Sequence, residues 1–373
     1  MALAAIPDDS LPPLDAYLLD GMSKPRINGS HNIKPPEPAA RIIETADSFM
    51  SRYVPLDYVV DNFLIRGYLY GLTSRSNHGK TTVGTALAVH IATGTPFAGM
   101  EISHGRVLLM YGENADNSRL QLVAALQHFD LTAGNIDIIS RRMPLNENID
   151  QIISECKGQD YAFVLVDSSA AYYSYTEEND NVNAKAHADD LRRLTTLPGS
   201  PAVLVLCHPT KSADRDTLAP RGGGAFENEL DTSLRLWKTD TTTELYPGNK
   251  VRGPLLDGVT FDFKPHTLHG LADKKGRPLT VPVAVPMGET QAAIHHRQMM
   301  EADNKLLYAM LHHEGGSMAD WASACGWVDT KGKPLKSKVF RGLERLLADK
   351  LAAKNRNGYA LTESGKKEAR GIQ

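Results

Sequence analysis

The chain has 373 residues, 42% hydrophobic and 23% charged, the ordinary balance of a soluble globular protein and enough for two folded domains with a tail. Its net charge of −3 hides an asymmetry, because residues 331–370 hold 12 Lys/Arg against 4 Asp/Glu while the remainder sums to −11, which predicts that the C-terminal part meets a polyanion unless it is simply a solvated basic face. Cys156, Cys207 and Cys325 are too scattered for a disulfide framework or a zinc knuckle, and no apolar run reaches the roughly 18 residues of a membrane span, so neither signal peptide nor membrane contact is expected and a cytoplasmic location is predicted.

Residues 1–40 contain seven prolines and little periodicity, and are read as a flexible arm. From 41 to 265, short apolar runs alternate with longer mixed segments, the pattern of strands and helices in a mostly parallel sheet. The first run, Tyr68–Leu72, leads through Thr73-Ser-Arg-Ser-Asn-His-Gly-Lys-Thr-Thr82 into a helical pattern. Strand, polar loop and helix in that order make a phosphate-binding loop, in which backbone N–H groups face the β- and γ-phosphates of ATP. Ser74, Arg75, Ser76, Asn77, His78, Gly79, Lys80, Thr81 and Thr82 are the candidate nucleotide ligands. Lys80 neutralises charge, and the Thr81 hydroxyl reaches Mg2+. The motif normally has glycine where Ser74 and Asn77 stand, so a positive φ at Ser74 would strain the loop.

Each later strand ends in a residue suited to the same chemistry. Val107–Tyr111 is followed by Glu113, a candidate to orient or deprotonate water. Ala162–Val166 is followed by Asp167, a candidate magnesium carboxylate. Tyr172, Tyr173 and Tyr175 beside the acidic run at 177–180 are assigned to packing or a subunit contact. Ala202–Cys207 ends at His208, which either senses the γ-phosphate or caps the strand. The segment after it, with Lys211, Arg215 and Arg221-Gly-Gly-Gly, suits a nucleic-acid backbone and also an ordinary surface loop. Ser233–Trp237, Thr243–Tyr246 and Val259–Phe263 read as later strands. Lys250 and Arg252 fall on one side of an alternating segment, where they can act as fingers on a neighbouring subunit's γ-phosphate or merely decorate a hairpin.

Residues 266–290, with three prolines and Lys274-Lys-Gly276, read as a linker. Beyond 291, helical patterns over Asn304–Glu314, Ser317–Gly326 and around Val339–Leu347 precede a hairpin turned at Asn357-Gly358, an arrangement similar to a winged helix-turn-helix. Lys338, Arg341 and Arg345 lie off the apolar stripe of the third helix. Lys354 and Arg356 sit on the hairpin, and all five are candidate nucleic-acid contacts, with docking of a protein as the alternative use of such a domain.

The ordered set Gly-Lys-Thr-Thr, Gly-Glu-Asn, Val-Asp-Ser, Cys-His-Pro, Arg-Gly-Gly-Gly-Ala and Lys-Val-Arg-Gly resembles the RecA-like ATPases related to hexameric plasmid and phage replication helicases, over about residues 55–265. The resemblance implies a RecA-like α/β P-loop core and ATPase sites shared between subunits of a ring, a hexamer by preference. It also implies a water-activating role for Glu113, a magnesium role for Asp167, a nucleotide sensor at His208 and DNA facing the loop near Arg221. An ATP-driven motor on single-stranded DNA, with replication proteins as possible partners, is the leading expectation. A DNA-binding ATPase switch or loader, and an adaptor that only holds nucleotide, remain open.

Overall fold

The computed structural model describes residues 43–372 apart from 176, 178–179, 211–212, 240–241, 254–257 and 356–357. The arm expected over 1–40 therefore lies outside the described residues. The unit up to Pro55 contributes one short helix, α1 (Ala46–Met50), whose Thr45 cap accepts from the Ser48 N–H.

From Leu56 the chain builds the sheet and its helices. In order these are β1 (Tyr58–Val60), β2 (Leu64–Ile65), β3 (Leu69–Thr73), α2 (Lys80–Thr93), β4 (Arg106–Tyr111), α3 (Ala115–Phe129), β5 (Ile136–Ile139), α4 (Leu145–Glu155), β6 (Tyr161–Asp167), α5 (Asn181–Arg193), β7 (Ala202–Cys207), α6 (Gly223–Glu229), β8 (Thr232–Lys238), β9 (Thr243–Val251), β10 (Val259–Ala272) and β11 (Pro278–Pro286). Nine strands form one sheet in the order β11-β10-β9-β8-β3-β7-β6-β4-β5. From β8 to β5 all neighbours are parallel, and β9, β10 and β11 extend the sheet antiparallel.

The central strands are apolar on both faces because helices cover both. Along β4, Val107, Leu109 and Tyr111 enter one core with α2 and α3, while Leu108 and Met110 enter the other with α4, α5 and α6. The same alternation runs through Phe163–Val166 and Val203–Cys207. Helix α2 is buried from Thr82 to Ala92. Gly84 lets it press onto β6, since a Cβ there would stand 2.9 Å from Leu165 Cδ1. A glycine inside a helix costs about 1 kcal/mol against alanine. Here a side chain would push the helix off the sheet.

Residues 266–290, read above as a linker, instead form most of the β10–β11 hairpin and the start of the next helix. The hairpin curls over the outer side of α2 and α3, burying Leu268, Val281 and Val283 against Ala124. Its prolines are tolerated because β11 is an edge strand with no further ladder partner.

The C-terminal segment comprises α7 (Glu289–His312), α8 (Met318–Ala324), α9 (Lys336–Ala348), β12 (Ala352–Asn355), β13 (Gly358–Leu361) and α10 (Glu363–Gly371). Its core gathers Leu306, Met310, Trp321, Val339, Leu343 and Leu346. A capping box between Ser317 and Asp320 starts α8, and the Trp321 indole donates to the His313 carbonyl at 3.0 Å. Among the described residues no helix is long and apolar enough to cross a membrane.

Candidate active site

The carboxyl ends of the parallel strands carry a cleft of about 490 Å³, lined by the loop from Arg75 to Thr82 and by Glu113, Asp167 and His208. The loop leaves β3 at Thr73 and enters α2 at Gly79, whose φ of 91° only glycine adopts without strain. The strain expected at Ser74 is absent, for the positive φ falls on Asn77 at 65°, a residue type that enters this region more readily than most. Ser74 is fully buried and does not line the cleft. Its carbonyl accepts a 2.8 Å hydrogen bond from Lys80 Nζ and holds the ammonium inside the loop. Burial lowers the Lys80 pKa, and the carboxylates of Asp167 and Glu113 oppose that shift.

Asp167 ends β6 beside Tyr111 of β4, so the two strands deliver Asp167 and Glu113 together. The Asp167 carbonyl accepts from the Gly112 and Glu113 N–H groups at 2.8 and 3.2 Å. The Thr81 hydroxyl donates to Asp167 Oδ2 at 2.9 Å. Burial pushes the Asp167 carboxyl up to about 6; the Glu113 charge adds to this, while Thr81 and Lys80 oppose it. Glu113, with half of its side chain exposed, moves the other way. The imidazole of His208, 3.4 Å away, holds its carboxyl down to about 2, and Lys80 contributes to the same shift. Two carboxylates side by side thus sit in opposite electrostatic settings.

His208 is also tied outward. Its carbonyl accepts from the Arg221 N–H at 2.8 Å, Thr210 N–H reaches the Ala219 carbonyl at 3.1 Å, and Pro209 bridges Pro220. The loop after β7 is thereby pinched at its base, directly beside Glu113's partner. Arg221 is exposed at that base. Arg215 is engaged by Glu244 at 2.6 Å and lies 5.4 Å from the Tyr246 ring centre, and Lys211 lies outside the described residues.

Several cleft residues escape a motif-based reading. Phe263 of β10 and Pro282 of β11 form part of the wall, which could be found only by recognising the hairpin. A Cβ on Gly79 would stand 2.4 Å from Phe263 Cζ, so the ring packs directly on the phosphate loop. Asn114, Asn117, Ser118 and Gln121 face the cleft from the first turns of α3, and their helical spacing was a legible signal. Lys238 joins them from β8.

Lys250 and Arg252 are not at this cleft. Lys250 lies in the last residues of β9, whose end pairs with the start of β8, and Arg252 follows directly, at the amino ends of the parallel strands. Arg252 bonds Asp231 Oδ1 at 3.1 Å, and Asp231 also accepts from Arg192 and the Leu69 N–H. In the C-terminal segment, Lys338 and Arg341 are exposed, and Lys354 lies over Tyr359 at 5.7 Å. Arg345 departs from its expected role. Its guanidinium forms a fork with both oxygens of Asp303 at 2.6–3.0 Å, so it fastens α9 to α7 and is not available to a phosphate. Arg356 lies outside the described residues.

Residues 35–214 match the family model of an AAA domain, a little under half of the chain. The match supports a P-loop ATPase. The match implies nucleotide binding and ends before β8, short of the Phe263 wall. Comparison with curated proteins finds no match.

Behind His208, the buried His187 of α5 shares a 3.0 Å hydrogen bond with Ser169 Oγ, and burial lowers its pKa to about 4. The unfolded chain holds a proton on this ring below about 6.5 while the folded chain does not until about 4. The contribution to stability is therefore complete above the higher value and is lost as pH falls through the lower one. Urea unfolding at pH 7 and pH 4 should show a loss on the order of 2 kcal/mol greater in the wild type than in His187→Phe. Equal losses would exclude His187 as the source.

Proposed function

We propose that this ATPase is a nucleic-acid motor of the hexameric replicative DNA helicase type, working in the cytoplasm. The observation that carries the reading is the contact chain Thr81, Asp167, Glu113, His208 and Arg221, which joins the phosphate loop to the pinched loop after β7. ATP binds with its phosphates on the loop amides and Lys80. Thr81 and Asp167 would hold Mg2+. A hydroxyl beside a buried carboxylate is an all-oxygen donor pair suited to that hard cation, which supplies charge neutralisation on the phosphate oxygens. Glu113 accepts a hydrogen bond from the attacking water and orients it. A carboxylate held near pKa 2 is a weak base, so orientation outweighs proton removal while His208 stays in contact. A nucleic-acid strand that moved the loop would move His208 and free Glu113.

The same restraint on Glu113 favours one second reading, an ATPase switch or loader that fires only on its partner. Titrating ATPase activity with single-stranded DNA, against Lys80→Ala as the inactive control, tests the common ground. Strand displacement separates motor from switch. Activity that no nucleic acid stimulates would sink both.

In the motor, Lys250 or Arg252 serves a neighbouring copy's γ-phosphate. Arg252→Ala should bind ATP and turn over at least 10²-fold more slowly, since such a finger contributes several orders of magnitude. Mixing it with Lys80→Ala chains should restore part of the rate, through interfaces that combine an intact loop with an intact finger. Full wild-type activity as a monomer at every concentration would remove both finger and ring.

A further inference from the structure

Phe263 and Pro282 reach the cleft on the β10–β11 hairpin, and the hairpin is fastened to α3 by a side chain that acts as a strand. β10 pairs with β9 over Val259–Phe261 and then runs past it, so among the described residues no strand covers that flank at 266–269. Gln127, in the last turn of α3, takes the place of one. Its Nε2 donates to the His269 carbonyl at 3.0 Å and its Oε1 accepts from the His269 N–H at 2.9 Å, which satisfies both backbone groups as a neighbouring strand would. The His266 imidazole stands 3.3 Å from the same oxygen, and Nε2 donates to it when it carries the proton.

Three histidines gather at this amide. The His128 ring centre is 5.5 Å from that of His266, which is 5.8 Å from that of His269, each pair nearly perpendicular. Lys264 adds a cation from β10, its ammonium engaged by Asp262. From β11 the facing residues are neutral, with Val281 opposite His266 and the Thr280 hydroxyl on that of Thr267. From α2, the buried His90 packs against Phe129, and burial lowers its pKa. Asp130 caps α3, yet among the described residues no carboxylate bonds any of the three rings. Burial holds the His128 pKa below the ordinary imidazole value, and the charges of His266 and Lys264 add to the shift. The packed arrangement is therefore fully favoured above about 6.5 and loses ground as pH falls below it.

We propose that Gln127 is a positioning residue for the nucleotide cleft, latching the hairpin so that Phe263 lies on the phosphate loop, and that protonation of His128 and His266 opens the latch. This rests on the cleft being the nucleotide site and needs neither a motor nor nucleic acid. Helix α3 starts two residues after Glu113 and carries Asn117 and Gln121 into the cleft at one end and Gln127 onto β10 at the other. The latch thus joins the helix behind the water-orienting carboxylate to the strand behind the loop's aromatic wall. Charge on two rings 5.5 Å apart, beside Lys264, has no carboxylate of its own to offset it. The apolar layer of Leu268, Val281 and Val283 on Ala124 remains, so opening loosens the hairpin without unfolding the sheet.

The test uses the full chain, with amide hydrogen exchange of residues 259–286, corrected for the intrinsic rate at each pH, alongside binding of a labelled ADP. In the wild type, a drop from pH 7.5 to 5.5 should raise hairpin exchange and weaken ADP binding, each about tenfold or more. His128→Gln/His266→Gln keeps a donor toward Gln127 and has no charge to gain, so both responses should shrink to less than about threefold. The ionisation of ADP, and that of His90 and His187, is common to both chains and cancels in the comparison. Gln127→Leu should show, already at pH 7.5, exchange about tenfold faster across the hairpin and weaker ADP binding, as befits the loss of hydrogen bonds of ordinary strength. Thermal unfolding establishes that the variants fold. Equal pH responses in the wild type and the double variant overturn the proposal, as does a Gln127→Leu hairpin as protected as the wild type's. Faster exchange with unchanged ADP affinity overturns the link from hairpin to cleft. A wild type that binds no ADP at pH 7.5 overturns the nucleotide reading itself, a result distinguishable because hairpin exchange is measured without nucleotide.

Discussion

Glu113→Gln is expected to bind ATP as the wild type does and to hydrolyse it about 10³-fold more slowly, within the range for loss of a positioned acid–base group. The amide keeps the size of the side chain and can still contact His208, but it loses the negative charge that accepts from water. It stands on the strand end beside Asp167 and not on the phosphate loop, so the ligands Lys80 and Thr81 are untouched. Single-turnover hydrolysis alongside binding of a labelled nucleotide separates the two effects. Hydrolysis equal to wild type would strip Glu113 of its role, and a parallel loss of binding would make it a structural residue of the cleft.

Asp231→Ala should destabilise the fold by on the order of 3 kcal/mol, the scale for breaking a buried charge pair. The carboxylate is 7% exposed and gathers three donors, the Leu69 N–H at 2.9 Å, Arg192 at 2.8 Å and Arg252 at 3.1 Å. Removing it strands the first amide of β3 and leaves Arg192 with the Glu229 carbonyl. The arginines are partly exposed, and water compensates them in part, which keeps the cost toward the low end of the range for buried pairs. Denaturant unfolding measures it directly. Asp231→Asn, which retains an acceptor for the amide, should lose less, and equal losses in the two variants would make charge pairing the dominant contribution.

Both sites show which features a linear sequence encodes. Strands β4, β6 and β7 were legible because burial on two faces writes itself as an unbroken apolar run. The Thr81–Asp167 pair was legible because strand order brings the ends of β3 and β6 to one side of the sheet. The β10–β11 hairpin was not, since its prolines and its Lys-Lys-Gly turn have the composition of a linker, and only edge position makes them compatible with pairing. With the hairpin went Phe263 and Pro282. Arg345 misled for a different reason. Helical spacing put it on the polar side of α9, but its partner Asp303 lies on another helix, and no local pattern reports a tertiary ion pair.

The position of β3 in the sheet has a consequence for how the chain must be made. The strand that launches the phosphate loop finds no neighbour in the residues close to it. Leu69 pairs with Val203, and Tyr70 with Thr232. Such high contact order slows folding, because loop closure precedes any reward from pairing. During synthesis the nascent β3 must wait, both edges bare, until β7 and β8 have emerged, an interval in which its backbone groups are open to wrong partners. A fragment cut at residue 214 would lack β8 and the strands beyond it, and would keep one flank of β3 exposed for good. The shortest segment that seals every strand of the sheet against its neighbours extends to Pro286.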